Sequence, residues 1–247
     1  MTRRFARAAW LRAAAALIAA ATAPLAAAQE SPYASPRWGA FEVSLSGYRP
    51  RIDAEFGGAA APYQTAFGGG RGLMFRADFA KSLMTEYGEL DIGIGGGYWE
   101  KLGHGLLPDG SVSGDSTLMR VIPSRLSVTY RFDYLANRYP IPLAPYVRFS
   151  LERYWWWIYN GSGGVAQADG KSGKGATNGY SFSAGVAFLL DFIDRGLARD
   201  MDRNTGINHT YVFVDFTKSF IDDFGSASSW DMSDDKVTIS GGLLFLF

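Results

Sequence analysis

Eight segments of the chain alternate apolar and polar residues over about ten positions each, and this pattern restricts the fold more than any other feature. In the clearest, RLSVTYRFDY (Arg125–Tyr134), Leu126 and Val128 belong to the apolar set and Arg125 and Ser127 to the polar set. Successive side chains of a strand point to opposite faces, so each segment predicts a strand with one apolar and one polar face. The other seven segments are Trp38–Tyr48, Gly72–Ala80, Tyr87–Trp99, Pro145–Tyr159, Gly179–Phe192, His209–Phe220 and Val237–Phe247.

The lengths of the connections favour a barrel over a sandwich, because alternation alone fits both. Long connections follow the first, third, fifth and seventh segments, and shorter or irregular ones follow the others. This alternation of long and short connections is typical of outer-membrane barrels, in which long loops face outward and short turns face the periplasm. We therefore predict an all-β fold, a transmembrane antiparallel up-and-down β-barrel of about eight strands. The long connections are Arg49–Gly70, Lys101–Thr117, Asn160–Asn178 and Ile221–Asp235.

The start of the chain has the features of a cleaved signal peptide, so we predict a signal peptide at residues 1–28 and an outer-membrane barrel domain at residues 29–247. Four arginines precede an Ala-rich apolar run that ends at Ala26–Ala28. The Arg3-Arg4 pair leaves the twin-arginine export route as an alternative. The barrel domain lacks cysteine, carries a net charge of about −4 and shows no basic patch, so we expect neither disulfides nor nucleic-acid binding.

Three stretches carry a resemblance to known outer-membrane proteins: Ser35–Phe56, Gly206–Phe216 and the terminal Phe247. They resemble small eight-stranded outer-membrane barrels of the OmpA/OmpX type, and more closely a family of outer-membrane barrels common in myxobacteria that has no assigned activity. The last segment, with Phe245 and Phe247 at alternate positions, looks like the signal that the barrel-assembly machinery recognises. The resemblance implies a bacterial outer-membrane location and no particular activity.

The polar faces of the predicted strands carry charges of both signs that would point into the barrel. About eight strands leave only enough room for side chains, and buried charges must be paired, so we expect a filled interior with an ion-pair network. We expect the arginines of the fourth and fifth segments to meet the acids of the second, third and fourth. The predicted network comprises Arg76, Asp78, Glu89, Asp91, Arg125, Arg131, Asp133, Arg148 and Glu152.

A narrow channel for small or hydrophobic solutes is the alternative to a filled interior. Glycines on the polar faces would leave gaps in the lumen wall that could serve such a conduit. These glycines are Gly93, Gly95, Gly97, Gly185 and Gly242.

Two further features belong to the membrane surfaces. Trp155 and Trp157 are predicted to form an aromatic girdle where the fifth strand leaves the membrane, with Arg153 snorkelling or contacting a lipopolysaccharide phosphate. Residues Asp191–Gly206 predict a short amphipathic helix on the periplasmic side. Its DMDRNTG stretch is similar to a calcium loop but lacks the closing acid, so we expect no metal there.

The sequence predicts no enzyme and no cofactor. A lipid-modifying enzyme, the third function class, would need a Ser–His pair near the outer leaflet; His104 has no obvious partner and His209 lies at the periplasmic end. We expect a role in envelope structure or surface interaction through the outer loops, of which the first and third are Gly-rich and predicted to be mobile. The expected partners are outer-membrane lipid, lipopolysaccharide and, during biogenesis, the barrel-assembly machinery.

Overall fold

The structure, a computed structural model, describes residues 36–107, 110–134, 136, 141–168, 170–226 and 229–247. The predicted signal peptide therefore lies outside the described residues. Among the residues described, no helix is both long enough and apolar enough to cross a membrane.

Eight antiparallel strands close into a barrel, as the alternation predicts. Each strand pairs with its neighbour in the chain, and the last pairs with the first, in register from Ala40 opposite Leu246 to Ser46 opposite Ser240. The strands are β1 (Gly39–Tyr48), β2 (Gly72–Met84), β3 (Glu89–Leu106), β4 (Val112–Arg131), β5 (Leu143–Tyr159), β6 (Lys174–Leu189), β7 (His209–Phe220) and β8 (Thr238–Leu246).

The connections define two ends of the barrel. The loop end carries the connections β1–β2, β3–β4, β5–β6 and β7–β8, and the turn end carries the other three. At the turn end a helix, Arg195–Thr205, joins β6 to β7, as predicted. The Asp194 side chain caps it by accepting hydrogen bonds from the amides of Gly196 (2.9 Å) and Leu197 (3.0 Å). The stretch that is similar to a calcium loop is thus largely helical.

Two long connections differ from the sequence-based expectation. The first is folded: it contains a 3₁₀ helix (Ile52–Phe56) and α1 (Pro62–Phe67), so the helix after β6 is α2. Most of the second connection, residues 101–117, continues as the paired ends of β3 and β4. The polar residues of this connection do not end the strands, because backbone hydrogen bonds continue wherever β3 and β4 stay adjacent. In the third connection a two-residue ladder pairs Gln167 with Ser172.

Side chains inside the barrel form an apolar cluster at each end and a polar middle layer, and the ion pairs of Arg131 extend this layer to the turn end beside the second cluster. The cluster at the loop end contains Tyr48, Ile52, Tyr63, Met74, Trp99, Met119, Val121, Tyr154, Ile221 and Met232. The cluster at the turn end contains Ala40, Ala144, Tyr146, Ala187, Leu189, Tyr211, Phe213, Leu244 and Leu246. The nine predicted network residues lie between or beside these clusters.

Phe247 completes the β1–β8 seam. Its amide donates to the Gly39 carbonyl at 2.8 Å, and its carbonyl accepts from the amides of Trp38 and Gly39. Its ring lies 5.8 Å from that of Trp38 on the outer wall. The residue thus contributes both backbone pairing and an aromatic contact to barrel closure.

We predict that Phe247→Asp impairs closure and assembly of the barrel, because it places a carboxylate beside Trp38 on the apolar wall. The measurement is the fraction of protein that migrates as compact, heat-modifiable barrel after folding into lipid vesicles. Phe56→Asp, at an exposed phenylalanine in the first connection, is the matched control and should fold like wild type. Equal folding of the two variants would contradict the prediction.

Candidate functional site

Arg131 is the centre of the ion-pair network at the turn end. Its guanidinium lies 2.8 Å from Glu89, 3.4 Å from Asp91 and 3.6 Å from Glu42, and the four side chains are almost completely buried. Glu42 also pairs with Arg148 at 2.6 Å, so it connects two arginines from neighbouring strands. One buried cation therefore serves several carboxylates, and the network extends across the barrel.

Two further ion pairs occupy the middle of the barrel. Arg125 binds both oxygens of Asp78 at 2.6 Å in a bidentate geometry, which is the strongest form of an arginine–carboxylate pair. Arg76 contacts Glu152 at 3.3 Å and donates to the Tyr154 hydroxyl. The arginines and carboxylates in the middle of the barrel therefore pair with one another.

The structure brings the nine predicted network residues into the interior, but some pairs differ from those expected. Arg148 pairs with Glu42, which the prediction omitted, and Asp133 pairs with Arg37, which precedes β1. Asp215 on β7 was also omitted and accepts from the Tyr146 hydroxyl at 3.1 Å. Alternation already placed Glu42 and Asp215 on polar faces, and that signal was sufficient to include them.

Large neighbouring side chains occupy the spaces beside the interior glycines. A Cβ atom on Gly95 would lie 1.6 Å from the Asp78 carboxylate, and one on Gly185 would lie 2.7 Å from the Tyr146 ring. A Cβ atom on Gly242 would lie 3.0 Å from the Phe213 ring and 2.0 Å from the Val43 carbonyl. These glycines therefore make room for packed side chains rather than leaving gaps in the wall.

A small polar cavity remains between the middle layer and the loop-end cluster. Its volume is about 20 Å³, which is enough for about one water molecule. Hydroxyl groups from β1, β7 and β8 line one side, and Arg76, Arg125 and Glu152 line the other. The cavity suits hydration of the ion pairs and is too small for an organic solute.

An aromatic and methionine cluster closes the interior at the loop end. Tyr48 packs edge-on against Trp99 at 5.3 Å and against Tyr154 at 5.8 Å, and its hydroxyl donates to the Met232 carbonyl at 2.6 Å. Met232 belongs to the β7–β8 connection, which turns inward over the mouth. The cluster is fully buried, so the loops seal the barrel with their own side chains.

A loop-to-loop contact holds this seal in place. Arg71, just before β2, donates to both Asp234 and Asp235 of the β7–β8 connection. The amide of Arg51 donates to the Ser233 carbonyl, and that of Asp235 to the Arg49 carbonyl, each at 3.1 Å. Burial raises the pKa of Asp234, whose side chain is 1% exposed.

The outer wall is apolar on every strand. Leu73, Ile94, Val147 and Phe182 are each more than half exposed, and similar side chains complete the belt. At the loop end the belt meets cations stacked on aromatic rings. The stacked pairs are Arg120 over Tyr98 and Tyr159, Arg153 over Trp155, and Lys218 over Phe220.

A strained turn follows β7 at the same end. Asp223 (φ 54°) and Phe224 (φ 58°) both adopt left-handed backbone conformations, which L-residues avoid, and a bulky residue such as Phe224 avoids most. Asn178 holds the turn by donating to the Asp223 carboxylate at 2.7 Å and accepting from its amide at 2.8 Å. The turn leaves the Phe224 ring 66% exposed on the wall.

No protein-family model and no curated protein matches the chain. Among solved structures it is similar to Neisserial surface protein A, with a TM-score of 0.45 and 11% identity over 87% of this chain and 99% of that one. It is also similar to Ail, the attachment invasion locus protein of Yersinia pestis (TM-score 0.40, 9% identity, 85% and 97% covered). A third is the N-terminal β-barrel domain of Pseudomonas aeruginosa OprF (0.40, 10%, 86% and 100%).

These similarities are too low to carry an argument about activity. The class of the protein, an eight-stranded antiparallel β-barrel, follows from the strand pairing of this chain itself.

We predict that Arg131→Met lowers the free energy of unfolding by about 3–5 kcal/mol, because it leaves Glu89 and Asp91 buried without a cation. Urea titration of the barrel in lipid vesicles measures this change. The control is Arg120→Met at the rim, where the Glu100 pair is exposed and should contribute less than about 1 kcal/mol. Losses of equal size would contradict the prediction.

We predict that protonation of Asp234 stabilises the folded protein as pH falls, because burial disfavours its charged carboxylate more than the ion pair with Arg71 favours it. The raised pKa means that the folded protein binds the proton before the unfolded chain does. Its contribution to stability therefore grows as pH falls through the folded pKa and levels off below the ordinary value of 3.8. The protection of residues 229–237 from hydrogen exchange, corrected for the intrinsic pH dependence of amide exchange, should rise on acidification.

Two variants of the β7–β8 connection check this pH dependence. Asp234→Asn should abolish it, and Asp222→Asn in the same connection should leave it intact. Corrected protection that falls between pH 7 and pH 4 in the wild-type protein would overturn the prediction.

Proposed function

We propose that this protein is an integral outer-membrane barrel with a filled, non-conducting interior that acts in envelope structure or surface interaction. The carrying observation is the division of side chains between the two faces of the sheet. Apolar side chains cover the outer wall, while the charges of the middle layer face one another inside.

The apolar belt supports a membrane rather than an aqueous surrounding. Soluble monomers rarely expose continuous apolar patches larger than a few hundred Å², whereas here all eight strands present such side chains. In lipid every backbone polar group needs an internal partner, and a closed barrel supplies one to each strand edge. The bacterial outer membrane is where barrels of this size reside, with lipid and lipopolysaccharide as surrounding partners.

A structural or surface role is favoured over transport. The ion pairs fill the middle of the barrel, side chains occupy the spaces at the glycines, and the aromatic cluster covers the loop end. The features left for function are the connections at the loop end and the cation–aromatic rim of the outer wall. We also expect the barrel-assembly machinery to recognise Phe245 and Phe247. The relation to the myxobacterial-type family stays a prediction.

The geometry gives little support to an enzyme. His104 lies opposite Ser116 in the β3–β4 ladder, and both residues are exposed. Asp115, next to Ser116, points to the opposite face of β4, so it does not orient His104 as the acid of a triad. His209 contacts Asp191 at 2.7 Å at the turn end, far from the outer leaflet.

We predict that the wild-type protein, inserted in planar bilayers, shows no steady single-channel current. The side-chain layers block the lumen, so ions have no continuous aqueous path. Insertion is checked in parallel by protease protection and by the heat-dependent shift in gel migration. A reproducible unitary conductance from inserted protein would establish the channel alternative and overturn the filled-barrel function.

A further inference from the structure

The outer wall around β6 carries a group of five contacting aromatic rings at the loop end. We call it the β6 patch: Phe149, Tyr180, Phe182, Phe220 and Phe224. The ring of Tyr180 lies 5.2 Å from that of Phe220 and 6.4 Å from that of Phe224, and Phe149 lies 5.2 Å from Phe182. The patch is therefore continuous from β5 across β6 to the turn after β7.

Phe224 adds to this patch at a cost in backbone conformation. Two successive left-handed residues, Asp223 and Phe224, place its ring over Tyr180, with the ring planes 18° apart. Strained backbone of this kind persists where the surrounding structure enforces it, and it clusters at ligand sites. The ring of Phe224 is mostly exposed, so packing within the protein does not explain a phenylalanine at this strained position.

Two cations flank the patch on opposite sides of β6. Arg153 on β5 lies beside Asn178, and Lys218 on β7 lies beside Phe182. Asn178 and Phe182 are four positions apart along β6, about 13 Å, and β5 and β7 are two strand spacings apart, so the Cα atoms of Arg153 and Lys218 lie about 16 Å apart. Within the described part of the chain, Arg153 and Lys218 contact aromatic faces and form no ion pair.

Both cations lie where their strands leave the apolar band. Each is about ten residues from the turn end of its strand, which is the length of a tilted strand that spans the hydrocarbon. Lipid headgroups and their phosphates lie at this level. The carboxylate of Asp223 also lies near Arg153. The hydrogen bond from Asn178 is the main cause that lowers the pKa of Asp223; Ser229 also donates to this carboxylate, at 3.2 Å, and the charge of Arg153 contributes less.

We propose that the β6 patch, Arg153 and Lys218 form a binding site for one phosphorylated glycolipid of the outer leaflet. Acyl chains lie against Phe149 and Phe182 below the cations, and the sugar headgroup lies against Tyr180, Phe220 and Phe224 toward the loop end. The two cations bind the phosphates at the two ends of the headgroup. Two cations on long side chains whose Cα atoms lie about 16 Å apart suit a disaccharide that is phosphorylated at both ends better than a phospholipid with a single phosphate. This inference rests on the outer-membrane location proposed above.

The test is retention of diphosphorylated lipid A by the full-length barrel, purified in detergent and analysed by native mass spectrometry. Parallel samples contain dephosphorylated lipid A or phosphatidylglycerol. We expect the wild type to retain diphosphorylated lipid A most strongly and Arg153→Gln/Lys218→Gln to retain it about tenfold less. Arg120→Gln, at the rim arginine that already pairs with Glu100, is the matched control and should bind like wild type.

Phe224→Gly separates a lipid contact from a structural role. Glycine adopts the left-handed conformation without strain, so we expect unchanged or higher thermal stability together with weaker lipid A retention. A variant that melts earlier and retains lipid A normally would show that Phe224 is structural and would overturn its role in the site.

Insertion into phosphatidylglycerol vesicles distinguishes failure of this inference from failure of the proposed function. If wild type and double variant both insert and retain lipid A equally, or if phosphatidylglycerol is retained as strongly as lipid A, the glycolipid site is wrong and the membrane barrel stands. If the wild type does not insert, the outer-membrane function fails and the site with it.

Discussion

The pairing of β8 with β1 is the interaction on which the rest of the structure depends. It gives every strand two hydrogen-bonded neighbours. A sheet in lipid needs this, because no water is present to pair with the backbone groups of an open strand edge. Closure after eight strands also sets the diameter of the barrel, and at this size the interior holds side chains and little else. Phe247 belongs to this seam through its backbone and its ring.

The narrow interior explains the arrangement of charges. Charged groups that are withdrawn from water require partners, and the barrel places carboxylates from β1, β2, β3 and β5 around arginines from β2, β4 and β5. Replacing both members of a pair with well-packed apolar residues is often harmless to stability, whereas removing one member leaves a buried charge without a partner and is costly. Glycines opposite Asp78, Tyr146 and Phe213 supply the space that these larger side chains need.

The two ends of the barrel differ in what they offer. At the turn end α2 is exposed, and Arg131 lies beside the apolar cluster that contains Tyr146 and Tyr211. At the loop end two connections fold over the mouth, and the wall outside them carries stacked cations, aromatic rings and a strained turn. The proposed interaction with the envelope is therefore placed at the loop end and its wall, where charged and apolar side chains lie side by side.

Alternation with a period of two, together with the alternating lengths of the connections, determined the barrel and its strand number, and alternation gave the inward direction of residues such as Arg125 and Asp78, because opposite faces of the sheet demand opposite side chains. It did not determine which charges meet. Arg148 pairs with Glu42, and Arg37 with Asp133, because closure and stagger bring together strands that are distant in the chain. The folded first connection and the left-handed turn at Phe224 were likewise decided by tertiary contacts, since local polarity and glycine content predict only a loop.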